Sequence, residues 1–421
     1  MFRLTNHKPN LFYGWFIVLV CGLTLFVAFG VRLSFSIFFV ALLDEFGWSR
    51  AGTALIYSTS MVVFTLASTP SGMALDRWGV RRVFGAGAGL LAVGLLLSSR
   101  AETLPMLALT YGVIAGLGLT ILGLGPQASV VSRWFIRRRG IAIGLTFAGT
   151  GLGALMLIPL SAYLIGKIGW QSTYIGLAIL ALALIPIIVR FLRLSPDRLG
   201  LQPDGDKLGP SRQDQSSVPA AGWMMTQVVR SPAFWLVIIA SLVSIGPLRM
   251  LTVHQLAAIE DGGIDRLLAA SIIGLTGAVT TIAFIFWGGL SDRIGRRWAY
   301  LLGSICLLAA IGLLANLPST GATTWLILYA LMLGLGEGSR SSLITAVAND
   351  LFPGNAVGAV NGAVGSAFGA GAALFPWLAG RIYDQSASYT LAFQLAAVAI
   401  VISTVALWFA PKVAKRKELK L

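Results

Sequence analysis

Five ionisable side chains lie within long apolar stretches of the sequence: Arg32, Arg249, His254, Glu337 and Arg340. Charged groups inside a membrane segment are costly to bury. They usually face a bundle interior or a watery cavity, where they mark a pathway for substrate or ions. A guanidinium presents a planar fork of donors that matches a carboxylate or a phosphate. Because three arginines stand against one buried glutamate, the set predicts an anion-binding site.

These side chains belong to twelve apolar runs. The 421-residue chain is 57% hydrophobic and 11% charged, whereas soluble proteins carry about 25% charged residues. About 20 apolar residues span a bilayer as a helix, and in lipid every backbone polar group must be satisfied within its own segment. The sequence therefore predicts an all-α membrane protein. The runs cover residues 13–41, 51–73, 83–99, 104–132, 140–165, 171–190, 232–259, 267–289, 298–316, 322–349, 356–380 and 388–410.

The net charge of +15 is distributed unevenly. If both termini are cytoplasmic, 23 of the 31 Lys and Arg residues fall in cytoplasmic segments. This positive-inside bias predicts that orientation. The basic loops then contact anionic lipids, no nucleic-acid-binding module remains, and no cleavable signal peptide is evident. The predicted outside loops hold Arg50, Arg100, Lys167, Arg266 and Arg381.

The two halves of the chain repeat. A polar stretch, residues 193–230, predicts a cytoplasmic linker between an N-terminal six-helix bundle (1–192) and a C-terminal one (231–421), with a possible interfacial helix near its end. Parallel repeats of this kind predict a central pathway at their interface. Gly72, Asp76, Arg77, Gly79 and Arg81 recur 216 residues later as Gly288, Asp292, Arg293, Gly295 and Arg297.

The twelve-helix plan and the paired G-x-x-x-D-R-x-G-x-R motifs resemble the major facilitator superfamily over the whole chain. In that superfamily the motif locks the cytoplasmic side and helps to switch conformations. The resemblance implies that Asp76 and Asp292 lie by helix ends and pair with arginines of the same motifs. A plainer interpretation is that these arginines are basic turn residues of the positive-inside rule.

Shorter stretches resemble the bacterial monocarboxylate-transporter-like and oxalate:formate-antiporter-like members. They are "FYGWFIV" (12–18), "EFGWSR" (45–50), "RWFIRRRGIAIG" (133–144) and "IGWQSTY" (168–174). Such members tend to carry a functional arginine in the eighth helix, often with an aspartate one turn before. Here the eighth run has no charge, and Thr281 and Ile285 take those positions. The mechanism of that subgroup is therefore not transferred to this chain.

Arg32 and Arg249 occupy near-equivalent points of the two halves. The repeat offset of 216 residues carries position 32 to Leu248, which directly precedes Arg249. In the superfamily the first and seventh helices line the central cavity, so we hypothesise that the two arginines clamp an anionic substrate from opposite sides. A similar pair is typical of organic-phosphate antiporters, which makes such an antiporter the alternative. In the structural interpretation, each arginine pairs with Glu337 or with helix carbonyls.

The remaining polar residues are candidates for binding or coupling. Glu337 and Arg340 share a helix face and can form an ion pair. Glu337 can instead pair with Arg249 or carry a proton, and Arg340 joins the predicted substrate site. His254 is a candidate for proton coupling or gating, although a lone histidine near a helix end is more often a polar packing residue. Further candidates to bind substrate are Gln127, Tyr111, Tyr329 and Asn361.

Together these features predict a secondary active transporter of small organic anions, carboxylates first, driven by protons or by a counter-anion. A drug exporter fits less well because the buried charge is positive, and a transporter-like sensor lacks a signalling surface. The glycine-rich segments lie in apolar helices, and no P-loop, metal-ligand cluster or nucleophile–base arrangement is present, so no enzyme activity or cofactor is predicted. Membrane lipids are expected partners, and no obligate protein partner is predicted.

Overall fold

The computed structural model describes residues 12–136, 138–196, 201–205, 225–317, 322–352 and 357–418. Over these ranges the chain is helical and contains no strand, which confirms the predicted all-α fold. The helices, labelled in chain order, are α1 Tyr13–Phe46, α2 Arg50–Trp78, α3 Val80–Ser98, α4 Leu104–Trp134, α5 and α6 together Arg139–Phe191, α7 Pro232–Asp261, α8 Arg266–Ile294, α9 Arg296–Ala315, α10 Ala322–Leu351, α11 Val357–Ser386 and α12 Thr390–Glu418.

Helices α5 and α6 follow each other without an intervening loop. At about 1.5 Å per residue, their combined length is more than twice the roughly 30 Å of a bilayer core. The chain turns at Gly169, whose φ of 80° and ψ of 163° are accessible almost only to glycine. Two membrane crossings are therefore packed into one stretch, as the separate runs 140–165 and 171–190 predicted.

Two helices are irregular next to the predicted site. Helix α1 is interrupted at Ser34, two residues after Arg32. Helix α4 is π-helical over Ala108–Ala115, and this segment carries Tyr111. Such π-helical segments are rare and often occur at functional sites. Both irregularities therefore lie beside residues that the sequence singles out.

The first six helices form one bundle and the last six form another. Between the bundles, α2 packs against α11 and α5 packs against α8. We call the end of the molecule where α1 begins and α12 finishes the inner end, because the predicted topology places it in the cytoplasm. The opposite end is called the outer end.

The bundles meet along their outer halves. Gly380 of α11 packs directly against Ala51, and Gly369 packs against Thr65, so neither glycine has room for a Cβ atom. The two bundles are thus in direct contact on the outer side.

The predicted linker is described only in part. Residues 206–224 lie outside the described ranges, so the domain boundaries stay predictions. The later part of the predicted interfacial helix is present as Met225–Val229. It contacts the start of α7, where the Trp235 indole Nε1 donates to the Val229 carbonyl at 2.9 Å.

The paired motifs place a glycine in an unusual conformation at equivalent points. Gly79 ends α2 and begins α3 with φ 82° and ψ 156°, and Gly295 joins α8 to α9 with φ 88° and ψ 147°. Side chains rarely adopt this region of backbone space, and forcing one there costs about 1–3 kcal/mol. The repeated glycine therefore serves the tight turn between successive helices.

Replacing Gly295 with alanine is expected to lower the free energy of unfolding by about 1–3 kcal/mol, because alanine is strained at this φ. Gly288→Ala is the matched control, since Gly288 is helical and an added Cβ meets no atom within 4 Å. The control is expected to leave stability unchanged or to raise it slightly. Thermal unfolding of both variants measures the difference, and equal melting temperatures would contradict this interpretation.

Candidate substrate-binding site

Arg32 lies in α1 with its guanidinium buried and without a hydrogen-bond partner among the described residues. Its Nε is buried and unpaired. The guanidinium carbon lies 5.5 Å from the ring centroid of Phe29 and 5.4 Å from that of Phe64. Cation–π contacts offset part of the cost of a buried charge, but they leave the donors of the fork unused. A bound anion would supply the negative charge and the hydrogen-bond acceptors that Arg32 lacks.

Arg249 approaches from α7, and it is already paired. Its Nη2 donates to Glu337 Oε1 at 2.7 Å, and its Nη1 donates to the Thr252 hydroxyl at 3.4 Å. The second oxygen of Glu337 accepts from the Thr280 hydroxyl at 3.4 Å. Arg249 and Arg32 are near enough for their charges to repel each other. The two arginines thus share one region between the bundles, and one of them is neutralised.

Two tyrosines beside Arg32 carry buried hydroxyls without partners among the described residues: Tyr57 of α2 and Tyr111 of α4. The ring of Phe35 packs between them, with centroids 5.6 Å from Tyr57 and 5.1 Å from Tyr111. Tyr57 interacts electrostatically with Arg32, and its hydroxyl lies within reach of the Arg249 guanidinium. Because arginine only donates, the Tyr57 hydroxyl can accept from it and still has its own proton to donate. Buried polar groups in proteins are nearly always paired, so unpaired hydroxyls next to an unpaired cation favour a ligand at this point.

A cavity of about 30 Å³ lies between the bundles next to Glu337. This volume is enough for ordered water. On its wall, Gln255 accepts a hydrogen bond of 2.7 Å from the Tyr329 hydroxyl, so Tyr329 is already engaged. The lining includes Leu33, Ala154, Thr252, Gln255, Thr276 and Glu337.

Arg340 points away from this region. It is fully buried between α9 and α10, where its Nη2 donates to the Ser304 hydroxyl at 2.9 Å and its guanidinium lies 4.1 Å from the ring centroid of Tyr300. The ion pair with Glu337 that the sequence allowed is not formed, because Glu337 contacts Arg249 instead. The structure thus separates Arg340 from the other predicted site residues.

Replacing Arg340 with methionine is expected to leave anion affinity unchanged to within about twofold, because Arg340 shares no partner with Arg32 or Arg249. Methionine keeps much of the length of the side chain in its packed surroundings. Titration calorimetry with a carboxylate that stabilises the wild-type protein measures the affinity. A tenfold or greater loss in a folded variant would return Arg340 to the substrate site.

His254 lies in the closed outer half. Its Nε2 is 2.8 Å from the Pro376 carbonyl, and its Nδ1 is 2.9 Å from the Tyr389 hydroxyl. A carbonyl only accepts, so Nε2 carries the proton and Nδ1 accepts from Tyr389. Both nitrogens are thus satisfied in the neutral ring. This position fits the gating half of the prediction for His254 better than contact with substrate.

Gln127 and Asn361 are not brought into contact with either arginine. Gln127 is fully buried, and its Nε2 donates to the Leu122 carbonyl at 3.4 Å. The amide oxygens of both residues are buried without a partner among the described residues. Their assignment to the substrate site remains a prediction.

A cluster at the outer end, which sequence reasoning did not assign, joins the two bundles through Arg50. Its Nη2 donates to Asp261 at 2.9 Å, its Nη1 donates to the Tyr389 hydroxyl at 2.7 Å, and its guanidinium stacks 3.6 Å from the centroid of the Tyr383 ring. Asp384 accepts from the backbone N–H groups of Arg50 and the next residue. Tyr389 in turn contacts His254, so this cluster extends into the core.

A second arginine bridges the same end from the other bundle. Arg266 of α8 contacts Asp44 of α1 at 2.7 Å and Glu260 of α7 at 2.6 Å. We call Arg50, Arg266 and their carboxylate partners the outer gate. The ion pairs Arg50–Asp261 and Arg266–Asp44 join residues more than 200 positions apart in the chain. Only the placement of Arg50 and Arg266 in predicted outside loops indicated their location.

At the inner end, the structure describes the pairing of the second motif. Asp292 pairs with Arg296 at 2.7 Å, four residues on and across the turn at Gly295, rather than with Arg293 or Arg297. Arg296 also lies 3.6 Å from Asp350 of α10. In the first half, the Arg81 Nε donates to the Leu192 carbonyl at 2.9 Å, and the side chain of Asp76 is not described. Arg77 is exposed. The gate role of these motifs remains a prediction.

The eighth helix supplies no charge to the site, as its sequence indicated. Thr281 donates to the Gly277 carbonyl of its own helix at 3.1 Å and packs against Gly151 of α5. Ile285 is largely exposed on the outside of the helix. The charged groups near the cavity therefore come from α1, α7 and α10.

Comparison with known proteins agrees with this architecture. The sequence profile of the Major Facilitator Superfamily matches residues 20–254 and again residues 249–421. The chain therefore belongs to the Major Facilitator Superfamily, and it is a multi-pass membrane transporter rather than an enzyme.

Its curated relatives include monocarboxylate transporters. The chain is 27% identical over 439 residues to human monocarboxylate transporter 12, covering 99% of this chain and 84% of that protein. It is 28% identical to bovine monocarboxylate transporter 13, covering 92% of this chain and 87% of that protein. These relatives are consistent with a monocarboxylate-transporter-like member of the superfamily.

Solved transporters share the fold at low identity. A bacterial homologue of the human lysosomal transporter Spinster, in an inward-facing and occupied conformation, matches with a TM-score of 0.71 and 15% identity over 97% of this chain and 98% of that one. A D-xylose–proton symporter matches with a TM-score of 0.71 and 14% identity over 94% of this chain and 97% of that one. At these identities the likeness establishes the fold alone.

Proposed function

We propose that this protein carries small organic anions, carboxylates first, across the membrane by alternating access. The observation that carries the proposal is the buried guanidinium of Arg32, which has no hydrogen-bond partner among the described residues. A buried charge without a counter-ion is costly, and a substrate carboxylate would satisfy it with two parallel hydrogen bonds. The names of the curated relatives support the same substrate class.

In this proposal the substrate sits between the bundles and contacts the Arg32 guanidinium. The unpaired hydroxyls of Tyr57 and Tyr111 donate to the same anion. The ion pairs of the outer gate correspond to a state that is closed on the outer side. Breaking the outer gate and closing the inner end would then expose the same site to the other side.

The driving force in this proposal is the proton gradient or exchange for another anion. Glu337 is the candidate proton carrier, because it is a half-buried carboxylate that contacts Arg249 next to the cavity. If Glu337→Gln accumulates substrate under a pH gradient as well as the wild type does, Glu337 does not carry the proton.

The remaining parts of the proposal are topology and location. Cytoplasmic termini follow from the positive-inside bias of the sequence. A bacterial inner membrane is our inference for the host membrane, and the relatives quoted above are human and bovine proteins. Single-cysteine labelling from each side of the membrane at Glu102 and at Arg77 tests the orientation.

A thermal-shift screen of the purified protein tests the substrate class. Mono-, di- and hydroxy-carboxylates, organophosphates and cationic drugs are compared, since a ligand that binds only the folded state raises the melting temperature. Carboxylates are expected to stabilise the protein. Stabilisation by organophosphates alone would favour the antiporter alternative, and stabilisation by cations alone would contradict anion transport.

A further inference from the structure

The charges beside the central cavity do not balance. Arg32 has no carboxylate partner among the described residues, whereas Arg249 is held by Glu337 at 2.7 Å. In this state the region between the bundles therefore offers one free guanidinium and not two. We propose that Glu337 is a specificity-determining residue: it occupies Arg249 and so restricts the site to ligands with a single negative charge. This inference rests on the function proposed above.

Glu337 holds Arg249 through a set of contacts that leaves little of the guanidinium fork for a ligand. One carboxylate oxygen accepts from Nη2 of Arg249, and the other accepts from the Thr280 hydroxyl. The remaining terminal nitrogen of Arg249 faces the Thr252 hydroxyl at 3.4 Å. A ligand that required both nitrogens of Arg249 would have to displace Glu337.

Charge also opposes a second ligand carboxylate on the Glu337 side. A carboxylate forced next to Glu337 would meet a like charge at close range, and two such groups do not both stay ionised without cost. The Glu337 side therefore disfavours a ligand with a second carboxylate.

The part of the site around Arg32 differs from the Glu337 side, because it offers unused hydrogen-bond donors and, within the described ranges, no carboxylate. Arg32 Nε and the hydroxyls of Tyr57 and Tyr111 are buried donors without partners among the described residues. One carboxylate accepts up to four hydrogen bonds, so a single group can satisfy several of these donors. The ring of Phe35 between the two tyrosines offers an apolar contact for the rest of a small ligand.

The proposal predicts how the charge of the site changes with substitution. In Glu337→Gln, Arg249 is released and the site carries two free guanidiniums, so a dianion should be preferred. In the double variant Arg249→Gln/Glu337→Gln, both charges are gone and Arg32 is again alone. Replacing both partners of a buried pair is also far less disruptive than removing one of them.

The test compares propionate with malonate, which are similar in size and differ by one carboxylate. Titration calorimetry of the full-length protein in detergent gives the ratio of the two affinities. The wild type is expected to prefer propionate, and Glu337→Gln is expected to shift the ratio toward malonate by about 30-fold or more. The double variant is expected to return to the ratio of the wild type. Glu102→Gln is the matched control, since Glu102 is an exposed loop carboxylate.

An unchanged ratio in folded Glu337→Gln would overturn the inference and leave the proposed function intact. If the wild type binds neither propionate nor malonate, nor any other carboxylate of the screen, the proposed function fails and the inference falls with it. Should Glu337→Gln not fold, Arg249→Gln is compared with the double variant. The double variant is expected to bind propionate more tightly, because no unpaired carboxylate then opposes it, and equal affinities would overturn the inference.

Discussion

Replacing Arg32 with glutamine is expected to weaken carboxylate binding by about 30-fold or more. Removing one partner of a buried, hydrogen-bonded charge pair costs about 2–5 kcal/mol, and every 1.4 kcal/mol is tenfold in affinity. Glutamine keeps a polar group of similar reach but loses the charge and the fork of donors. Calorimetric titration with propionate measures the loss.

Two further variants separate the loss of the Arg32 charge from a general disturbance of the structure. Arg32→Lys keeps the charge and loses the planar fork, so its affinity is expected to lie between those of the wild type and Arg32→Gln. Arg100→Gln removes an arginine from an exposed outer loop and is expected to bind as the wild type does. Should Arg32→Gln bind propionate with wild-type affinity, the anion does not contact Arg32.

Replacing Arg50 with alanine is expected to shift the protein toward an outward-open state by about 1–2 kcal/mol, or roughly 5- to 30-fold in population. The side chain contacts Asp261 and Tyr389 across the bundle interface, and opening the outer end must break both contacts. The Arg50–Asp261 ion pair contributes only part of this energy, because the Asp261 side chain is 40% exposed and solvent screens the pair.

Distances between spin labels at Glu102 and Gln385 report this shift, since the two positions lie at the outer end of different bundles. Cys21 and Cys306 are first replaced, so that only the introduced cysteines react. Arg50→Ala is expected to raise the population of long distances, whereas Arg100→Ala is the control and leaves it unchanged. If both variants show the wild-type distribution, Arg50 does not hold the outer end closed.

The fold was predictable because membrane helices are dictated by local composition. Each of the twelve apolar runs corresponds to a helix, although several helices extend beyond the runs. The turn at Gly169 was found as a gap between two runs, but the absence of a loop there was not. That detail depends on the backbone conformation of one glycine, for which composition gives no signal.

The candidate site was predictable only in part. The repeat offset correctly brought Arg32 and Arg249 to one region, because equivalent positions in two similar bundles face the same interface. Spacing placed Arg340 on the same face as Glu337, yet its long side chain turns toward α9, where Gly303 leaves room beside its guanidinium. The direction of a side chain as long as arginine is set by the neighbouring helices and not by its position in the sequence.

The outer gate and Tyr57 depend on contacts that are distant in the chain. Arg50 and Asp384 are 334 residues apart. Tyr57 carries no charge and lies in an apolar run, so only its position opposite the arginines distinguishes it from a packing residue. Pairings of this kind emerge from the assembly of the two bundles.

Uptake of radiolabelled propionate into proteoliposomes tests the central claim most directly. Wild-type protein and Arg32→Gln are reconstituted at equal amounts, with an inward-directed proton gradient in one series and with internal unlabelled anion for exchange in another. We predict that the wild type takes up propionate in at least one series and that Arg32→Gln takes up none above empty liposomes. Uptake by Arg32→Gln at the wild-type rate would contradict the account, because the anion would then cross without the guanidinium on which the site is built.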